Sequence, residues 1–586
     1  MAKTIDPITV EVIRNGLIAA ADEMKINLAR TAYNPIIYEV LDFSVGIFDE
    51  QGNMISQAAG LPIFLGNLGE AIKTVMADIG VENFRPGDVY LINDTYTTGT
   101  HLNDVTAINP IFADGVLIGF AGSRAHWLDV GSASPGGWDP SATEIYKEGL
   151  RLRSIQLYEA GKLNRSIYQI LKDNVRYSDS LMGDLRAQIA AAHTGERRFK
   201  DLVARFGLET VKGAIAEMLR QGEMQTRQAI AEMKDGVYTA EAFMDDDGVA
   251  IDSPRVGVTV TIKSDEMTID LTGSAEQLVG PLNCGLAATI SACRVALKAV
   301  TSPLTPVNEG CFKPLKVIVP DNCMFNAKIP APSGIYGLIL MTLADTIFQA
   351  LAPAITEKIP ASHYCDVCAV FLFGTDPKTK APYIHVEPEG GGWGAAPFRD
   401  GENVLIAIAD GDTRNVPVEV IESRYPLRMV RYEVRQDSGG AGQYRGGLGH
   451  YRDYEILGHD TRMTTTQERS KFPPAGLFGG RPGHTNRVVI NPGTAQEEII
   501  QKCTAFELRK GDIVSVQTGG GGGYGNPLDR DHQVVLLDVA RGYVSGEAAR
   551  REYGVVLDPE TLVVDMAVTE ALRSRLRAEG EVATTG

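Results

Sequence analysis

Hydrophobic and polar positions follow a succession of patterns along the chain. In residues 8–33, ITVEVIRNGLIAAADEMKINLARTAY, apolar side chains recur at helical spacing and predict an opening helix. From 37 to 130 the rhythm shortens to β-like runs: FSVGIF at 43–48, DVYLIN at 88–93 and VLIGFAGS at 116–123. The stretch from about 141 to 235 is rich in Ala, Glu, Arg, Leu and Gln, and predicts three or four helices broken near Gly195 and Gly207. From 237 onward, alternation returns in RVGVTVTIK and EMTIDLTG, bounded by Asp and Gly turn residues. Two apolar helix candidates, 286–300 and 335–352, precede strands in VCAVFLFG, APYIHVEP, NVLIAIAD, MVRYEV, YRDYEIL, NRVVINP and DIVSVQTG. EALRSRLRAEG predicts a last helix.

These patterns predict a mixed α/β (α+β), multi-domain chain. Its expected parts are an N-terminal α/β region (1–140), a helical region (141–236), a β-rich region with two buried helices (237–530) and an α-rich tail (531–586). No repeat of fixed period occurs, which disfavours a solenoid or propeller.

Composition narrows the function classes. The 586 residues are 44% hydrophobic and 22% charged, which excludes a disordered chain. A net charge of −18 argues against nucleic acid as a partner, since a phosphate-binding surface needs a basic excess. No apolar run reaches the roughly 18–20 residues that span a bilayer, and MAKTIDPITVEVIRNG has no signal-peptide pattern. Seven cysteines, an odd number, do not make a disulfide framework. The expectation is a soluble cytoplasmic protein without a membrane partner. Cys365-Asp-Val-Cys368 reads as a reduced, packed pair among apolar neighbours before it reads as a redox motif.

Glycine is abnormal, with 62 residues clustered late in the chain: GGGWG at 390–394, GGAGQYRGGLG at 439–449, FGGRPG at 478–483 and GGGGGYG at 519–525. Such runs serve tight turns or let a backbone approach something closely. A phosphate loop is disfavoured. There is no GxxxxGK[ST], GGGWGAAPF lacks a following helix, and GGGGGYGNPLDRD ends in Asn-Pro. The chain is expected not to bind ATP by itself.

The sharpest chemistry is a pair of His-x-x-Asp units near strand ends, His101-Leu-Asn-Asp104 and His126-Trp-Leu-Asp129, in a chain with nine histidines. A His and an Asp three apart in a turn can face one cation, and N/O donors suit Zn²⁺, Mn²⁺ or Fe²⁺ better than Ca²⁺. Asp42, at the start of a strand, completes a possible two-His, two-Asp shell. From spacing alone three readings stand: a metal site, a catalytic His–Asp pair, and Asp residues that only orient or cap their neighbours. Glu387 is a candidate cleft acid or a solvated turn residue. Arg124 is a candidate anion holder or a surface ion-pair partner.

Longer motifs then resemble the hydantoinase B/oxoprolinase family. They are LDFSVGIFDEQGNMISQAAGLPIFLGNL, GDVYLINDTYTTGTHLNDVTAINPIF and SRAHWLDVGSASPGG, followed by TRNVPVEVIESRYPL, GGAGQYRGGLG, GLFGGRPG and TGGGGGYGNPLDRD with VARGYVSGEAARREYGVV. The resemblance spans about residues 6–560. It implies ATP-dependent opening of a cyclic amide such as a lactam, hydantoin or 5-oxoproline, with a HyuA-type ATP-binding subunit that carries the ATP–Mg. It implies one divalent metal, zinc before manganese or iron, on Asp42, His101, Asp104 and His126, with Asp129 behind them. Asp129 or Glu387 would carry protons, and a dimer of A–B heterodimers would be the assembly. Two alternatives stay open: a subunit of a ketone carboxylase of the acetone or acetophenone type, and a scaffold for a partner ATPase.

Overall fold

The computed structural model describes residues 5–558 and 560–584. Residues 1–4 of the N-terminal stretch and 585–586 of the expected tail lie outside the described residues. Helices and several sheets are mixed throughout, as the patterning predicts. The chain divides into two compact units, one of residues 1–350, 408–417 and 503–505, the other of 351–407, 418–502 and 506–586. No helix among the described residues is long and apolar enough to cross a membrane.

The first unit opens with α1 (Pro7–Thr31). Asp6 caps it by accepting from the Ile8 and Thr9 amides, and Pro7 suits the first turn because its missing N–H would have no partner there. Val10, Ile13, Leu17, Ala20, Met24 and Leu28 line its buried face at helical spacing. A seven-stranded antiparallel sheet follows: β1 (Phe43–Asp49), β2 (Met54–Gln57), β3 (Val89–Ile92), β4 (Asp104–Ala113), β5 (Val116–His126), β6 (Ile155–Glu159) and β7 (Lys162–Leu163), in the order β2-β1-β5-β4-β3-β6-β7. Two long helices, α2 (Ser178–Phe206) and α3 (Leu208–Ala231), pack with α1.

The expected helix break at Gly195 does not occur; α2 runs through it. Gly195 instead lets α1 approach, since a Cβ there would lie 2.4 Å from Met24 Sδ. Gly207, with φ +79°, does end α2. The two apolar helix candidates form α4 (Leu286–Thr301) and α5 (Tyr336–Leu351). NVLIAIAD does not become a strand; Leu405 makes a single bridge to Gly391.

The glycine runs of the second unit pack on one another. Segment 519–523 exchanges backbone hydrogen bonds with 392–395, 440–447 and 477–484, among them Gly392 N to Gly519 O, Gly521 N to Gly447 O, Gly440 N to Gly521 O and Gly523 N to Arg481 O. A Cβ on Gly521 would sit 2.0 Å from Trp393 O, and one on Gly446 1.9 Å from Gly521 O. What these backbones approach so closely is other backbone.

Candidate metal centre

One hairpin determines the geometry of the site. β4 and β5 are joined by Asp114-Gly115, with φ +49° and +77°, the two left-handed residues that a two-residue hairpin turn requires. The turn pairs Ala113 with Val116, and the ladder, through one irregularity at Ile111/Phe112, ends with Asp104 directly opposite His126. A one-residue slip would send the two side chains to opposite faces. His101 lies one turn before Asp104, whose amide donates to His101 O at 3.1 Å. Asp42 occupies a tight turn just before β1: Phe43 N bonds Leu41 O at 2.9 Å, and Leu41 takes φ +64°. The His126 amide donates to Asp42 O at 3.1 Å, which ties Asp42 to the end of β5.

Asp42, His101, Asp104 and His126 thereby come together from three strand ends. The two imidazoles meet edge to face, with centroids 4.9 Å apart. His101 Nδ1 lies 3.2 Å from Asp104 Oδ2, within ion-pair distance but without hydrogen-bond alignment. His101 and His126 are each 5% exposed and Asp104 is sealed; Asp42 keeps some exposure, but its Oδ1 is buried. Asp42 Oδ1, His101 Nδ1, Asp104 Oδ1 and His126 Nδ1 are all shut from solvent and make no hydrogen bond.

Burial also drives each group toward its neutral form. It raises Asp104 to about 8 and lowers His126 to about 4. It lowers His101 well below the usual imidazole range, reinforced by His126. It raises Asp42 well above the carboxylate range, reinforced by Asp104 and Asp410. Buried polar atoms are almost always hydrogen-bonded, so four orphaned donor atoms in one cluster are abnormal. Two neutral imidazoles and two carboxylates form a set of N and O donors of the kind that suits a divalent transition-metal ion.

Arg124 is not on the surface. It is fully buried, donates from Nε to Thr106 Oγ1 at 2.8 Å and from Nη1 to Asn67 Oδ1, and lies over the Phe64 ring. Its Nη2 makes no hydrogen bond. Burial lowers its pKa to about 10, against the attraction of Asp104.

The remaining sequence candidates are engaged elsewhere. Asp129 pairs with Arg176 Nη1 at 2.6 Å and accepts from the Gly131 and Arg176 amides, so its oxygens hold the loop after His126. Glu387, in the second unit, is buried rather than solvated, with Arg452 Nη2 at 2.8 Å from its Oε1. Cys365 and Cys368 are buried free thiols.

Two residues of the neighbourhood escape sequence reasoning. Tyr336, the first residue of α5, donates its hydroxyl to Asp104 Oδ2 at 3.0 Å from 232 positions away. Asp410 adds negative charge to Asp42 and Asp104. The one local signal for Tyr336 is its place at the start of an apolar helix, after Pro-Ser-Gly.

Comparisons with known proteins converge on one family. The family model described as hydantoinase B/oxoprolinase matches residues 6–527. A protein of Pseudomonas sp. named as the putative B subunit of a D-/L-hydantoinase is 33% identical, covering 97% of this chain and 98% of that one. The crystal structure of the ATP-dependent caprolactamase from Pseudomonas jessenii matches with a TM-score of 0.90 at 30% identity, over 98% of this chain and 100% of that chain. A nucleotide-free acetone carboxylase structure shares the fold, with a TM-score of 0.90 at 21% identity over 98% of this chain and 84% of that chain.

Proposed function

This chain belongs to the hydantoinase B/oxoprolinase family, and on that premise we propose that it is the metal-bearing B-type subunit of an ATP-dependent cyclic amide hydrolase. The observation that carries the proposal is the cluster of four buried, unbonded donor atoms on Asp42, His101, Asp104 and His126. In this reading they hold one divalent metal, zinc before manganese or iron. When bound, such an ion supplies Lewis-acid polarisation of an oxygen and a lowered pKa for a water.

An amide is a poor electrophile. Phosphorylation of the amide oxygen, by a HyuA-type partner that binds ATP–Mg, makes that oxygen a leaving group and the carbon attackable. This chain then receives a lactam, hydantoin or 5-oxoproline derivative that carries negative charge. Arg124 supports that reading: it is a buried cation with an unbonded Nη2 and is electrostatically coupled to Asp104, as a group facing a phosphoryl or carboxylate oxygen should be. Asp129 and Glu387, both engaged by arginines, are read as holding structure rather than carrying protons. The assembly proposed is a dimer of A–B heterodimers in the cytoplasm.

The test is elemental analysis and turnover of the chain with its partner, for wild type and for His101→Ala or His126→Ala. Stoichiometric metal in the wild type, lost in the variants together with turnover while ATP binding by the partner persists, is the expected result. Full activity of either variant, or no stoichiometric metal in the wild type, overturns it; absence of metal would favour a scaffold. The shared fold keeps ketone carboxylation as the second reading. Turnover of a ketone that requires bicarbonate, with no opening of cyclic amides, would select it.

A further inference from the structure

The start of α5 is fixed in place by side chains from distant parts of the first unit. Tyr96 donates its hydroxyl to Ala331 O at 2.7 Å, and Asn283 Nδ2 donates to Pro332 O at 3.1 Å. Glu148 Oε1 accepts from the Ser333 and Gly334 amides at 2.8 and 2.7 Å. Four consecutive residues, 331–334, are thus strapped by three side chains, the Ile335 amide donates to Pro281 O at 3.3 Å, and Tyr336 follows. Its hydroxyl meets Asp104 Oδ2, and its ring stands edge-on to His101 with centroids 5.2 Å apart at 88°. The side chain is 4% exposed.

We propose that Tyr336 is a positioning residue for the candidate metal centre, which holds the Asp104 carboxylate by its hydroxyl and the His101 ring by a perpendicular ring contact, with the 331–334 straps fixing Tyr336 in turn. The inference rests on the reading of the four donors as a metal site. A buried carboxylate without this donor would be free to rotate about its last torsion, and an unsupported His101 ring could tilt away from His126. Groups that orient metal ligands in this way typically change metal affinity by roughly 10–100-fold when removed. The bland alternative is a tyrosine that only satisfies a buried carboxylate, as Tyr90 does for Asp88 at 3.1 Å. Tyr90 lies on β3 with Asp88 just before it, and that pair serves as the control.

The full-length chain, stripped of metal, is titrated with Zn²⁺ in competition with a chromophoric chelator, for wild type, Tyr336→Phe and Tyr90→Phe. Tyr336→Phe is expected to bind Zn²⁺ about 10–100-fold more weakly, and to change the visible spectrum of the Co²⁺-loaded chain. Its metal-free thermal midpoint should move no more than that of Tyr90→Phe, which leaves the affinity unchanged. Wild-type affinity in Tyr336→Phe overturns the inference while the metal reading stands. A wild type that binds no Zn²⁺ or Mn²⁺ overturns the metal reading and this inference with it. Tyr96→Phe, which removes one strap, is the milder variant and should weaken Zn²⁺ in the same direction by a smaller factor. Should Tyr336→Phe fail to fold, unchanged affinity in Tyr96→Phe overturns the inference.

Discussion

Each unit buries a cluster of two acids and two histidines, and the two clusters differ in what the carboxylates face. In the second unit His385, Glu387 and Glu389 alternate along one segment, and His450, Arg452 and Tyr454 alternate along the facing strand, so each set shares a face. Arg452 reaches both acids, Glu387 at 2.8 Å and Glu389 at 3.0 Å, and Tyr454 donates to both at 3.1 and 2.8 Å. The guanidinium also lies 4.8 Å from the Tyr432 ring centroid. Burial would lower the Arg452 pKa, yet Glu389, Tyr454 and Glu387 hold it well above the ordinary arginine value. In the first unit, among the described residues, no arginine or lysine pairs with Asp42 or Asp104; Arg124 attracts Asp104 from a distance but spends its hydrogen bonds on Thr106 and Asn67. Both clusters leave histidine nitrogens unbonded, His385 Nε2 and both of His450 in the second, but only in the first do the carboxylates also keep an unbonded oxygen, whereas the acids of the second face their own counter-charge. The difference teaches that burial of acids and histidines does not by itself mark a reactive site; burial without internal compensation does.

The hardest way to break this comparison is to remove the compensating charge. Arg452→Met leaves Glu387 and Glu389 buried against each other, and should destabilise the chain by about 3–5 kcal/mol in denaturant unfolding. Metal content should not change in the fraction that remains folded. A loss below about 1 kcal/mol would mean that the second cluster is not held together by its arginine.

A pair of isosteric neutralisations sharpens it. Glu387→Gln weakens the partnership with Arg452 and should lower stability by about 1–3 kcal/mol. Asp104→Asn should do the opposite to the metal-free chain at pH 7, raising its stability by about 1–3 kcal/mol because a carboxylate whose pKa is raised by burial is replaced by a neutral amide. The same variant should lose metal. Equal signs for the two substitutions in chemical denaturation would erase the distinction between the clusters.

What the sequence made legible follows the same line. His101, Asp104 and His126 stood out because histidine is scarce in this chain and the His-x-x-Asp unit repeats. Helical periodicity located α1, α4 and α5 to within two residues at each end. The pairing of Asp104 with His126 depends on hairpin register, and its one local cue was Asp114-Gly115. Tyr336 and Arg452 could not be found from local pattern, because each acts on a partner more than 60 positions away. For that reason Glu387 was open to reading as a cleft acid: nothing near it in sequence announces the arginine that engages it. Gly195 misled for a related cause, since Met24 of a distant helix, and not its own segment, explains its missing side chain.

The smallest expected effect is a pH dependence, and it isolates the first cluster by its sign. Asp104 has its folded pKa raised to about 8, and Asp42 is raised as well, so these carboxylates hold protons in the folded chain that the unfolded chain has already lost. Their contribution to stability is complete below the unfolded carboxylate pKa and is lost as pH rises through the folded value. His126, lowered to about 4, and His101, also lowered, act oppositely: the unfolded chain binds protons there that the folded chain does not, so stability rises with pH up to the unfolded imidazole value. From about pH 4 to 6.5 the two pairs oppose each other and the cluster contributes little slope. From about pH 6.5 to 8 Asp104 still titrates in the folded chain while the histidines do not, and the metal-free chain should lose at most about 1.4 kcal/mol per pH unit through Asp104. Glu148, raised by its burial to about 8, adds to the same slope, so the quantity to measure is the difference between wild type and Asp104→Asn, which removes one carboxylate and leaves Glu148 in place. Zn²⁺ should reverse the trend, because ligand atoms must lose their protons to bind and affinity therefore rises with pH through 8. A metal-free stability difference that is flat from pH 6.5 to 8, or a Zn²⁺ affinity independent of pH there, would mean that Asp104 is compensated after all and that the two clusters are alike.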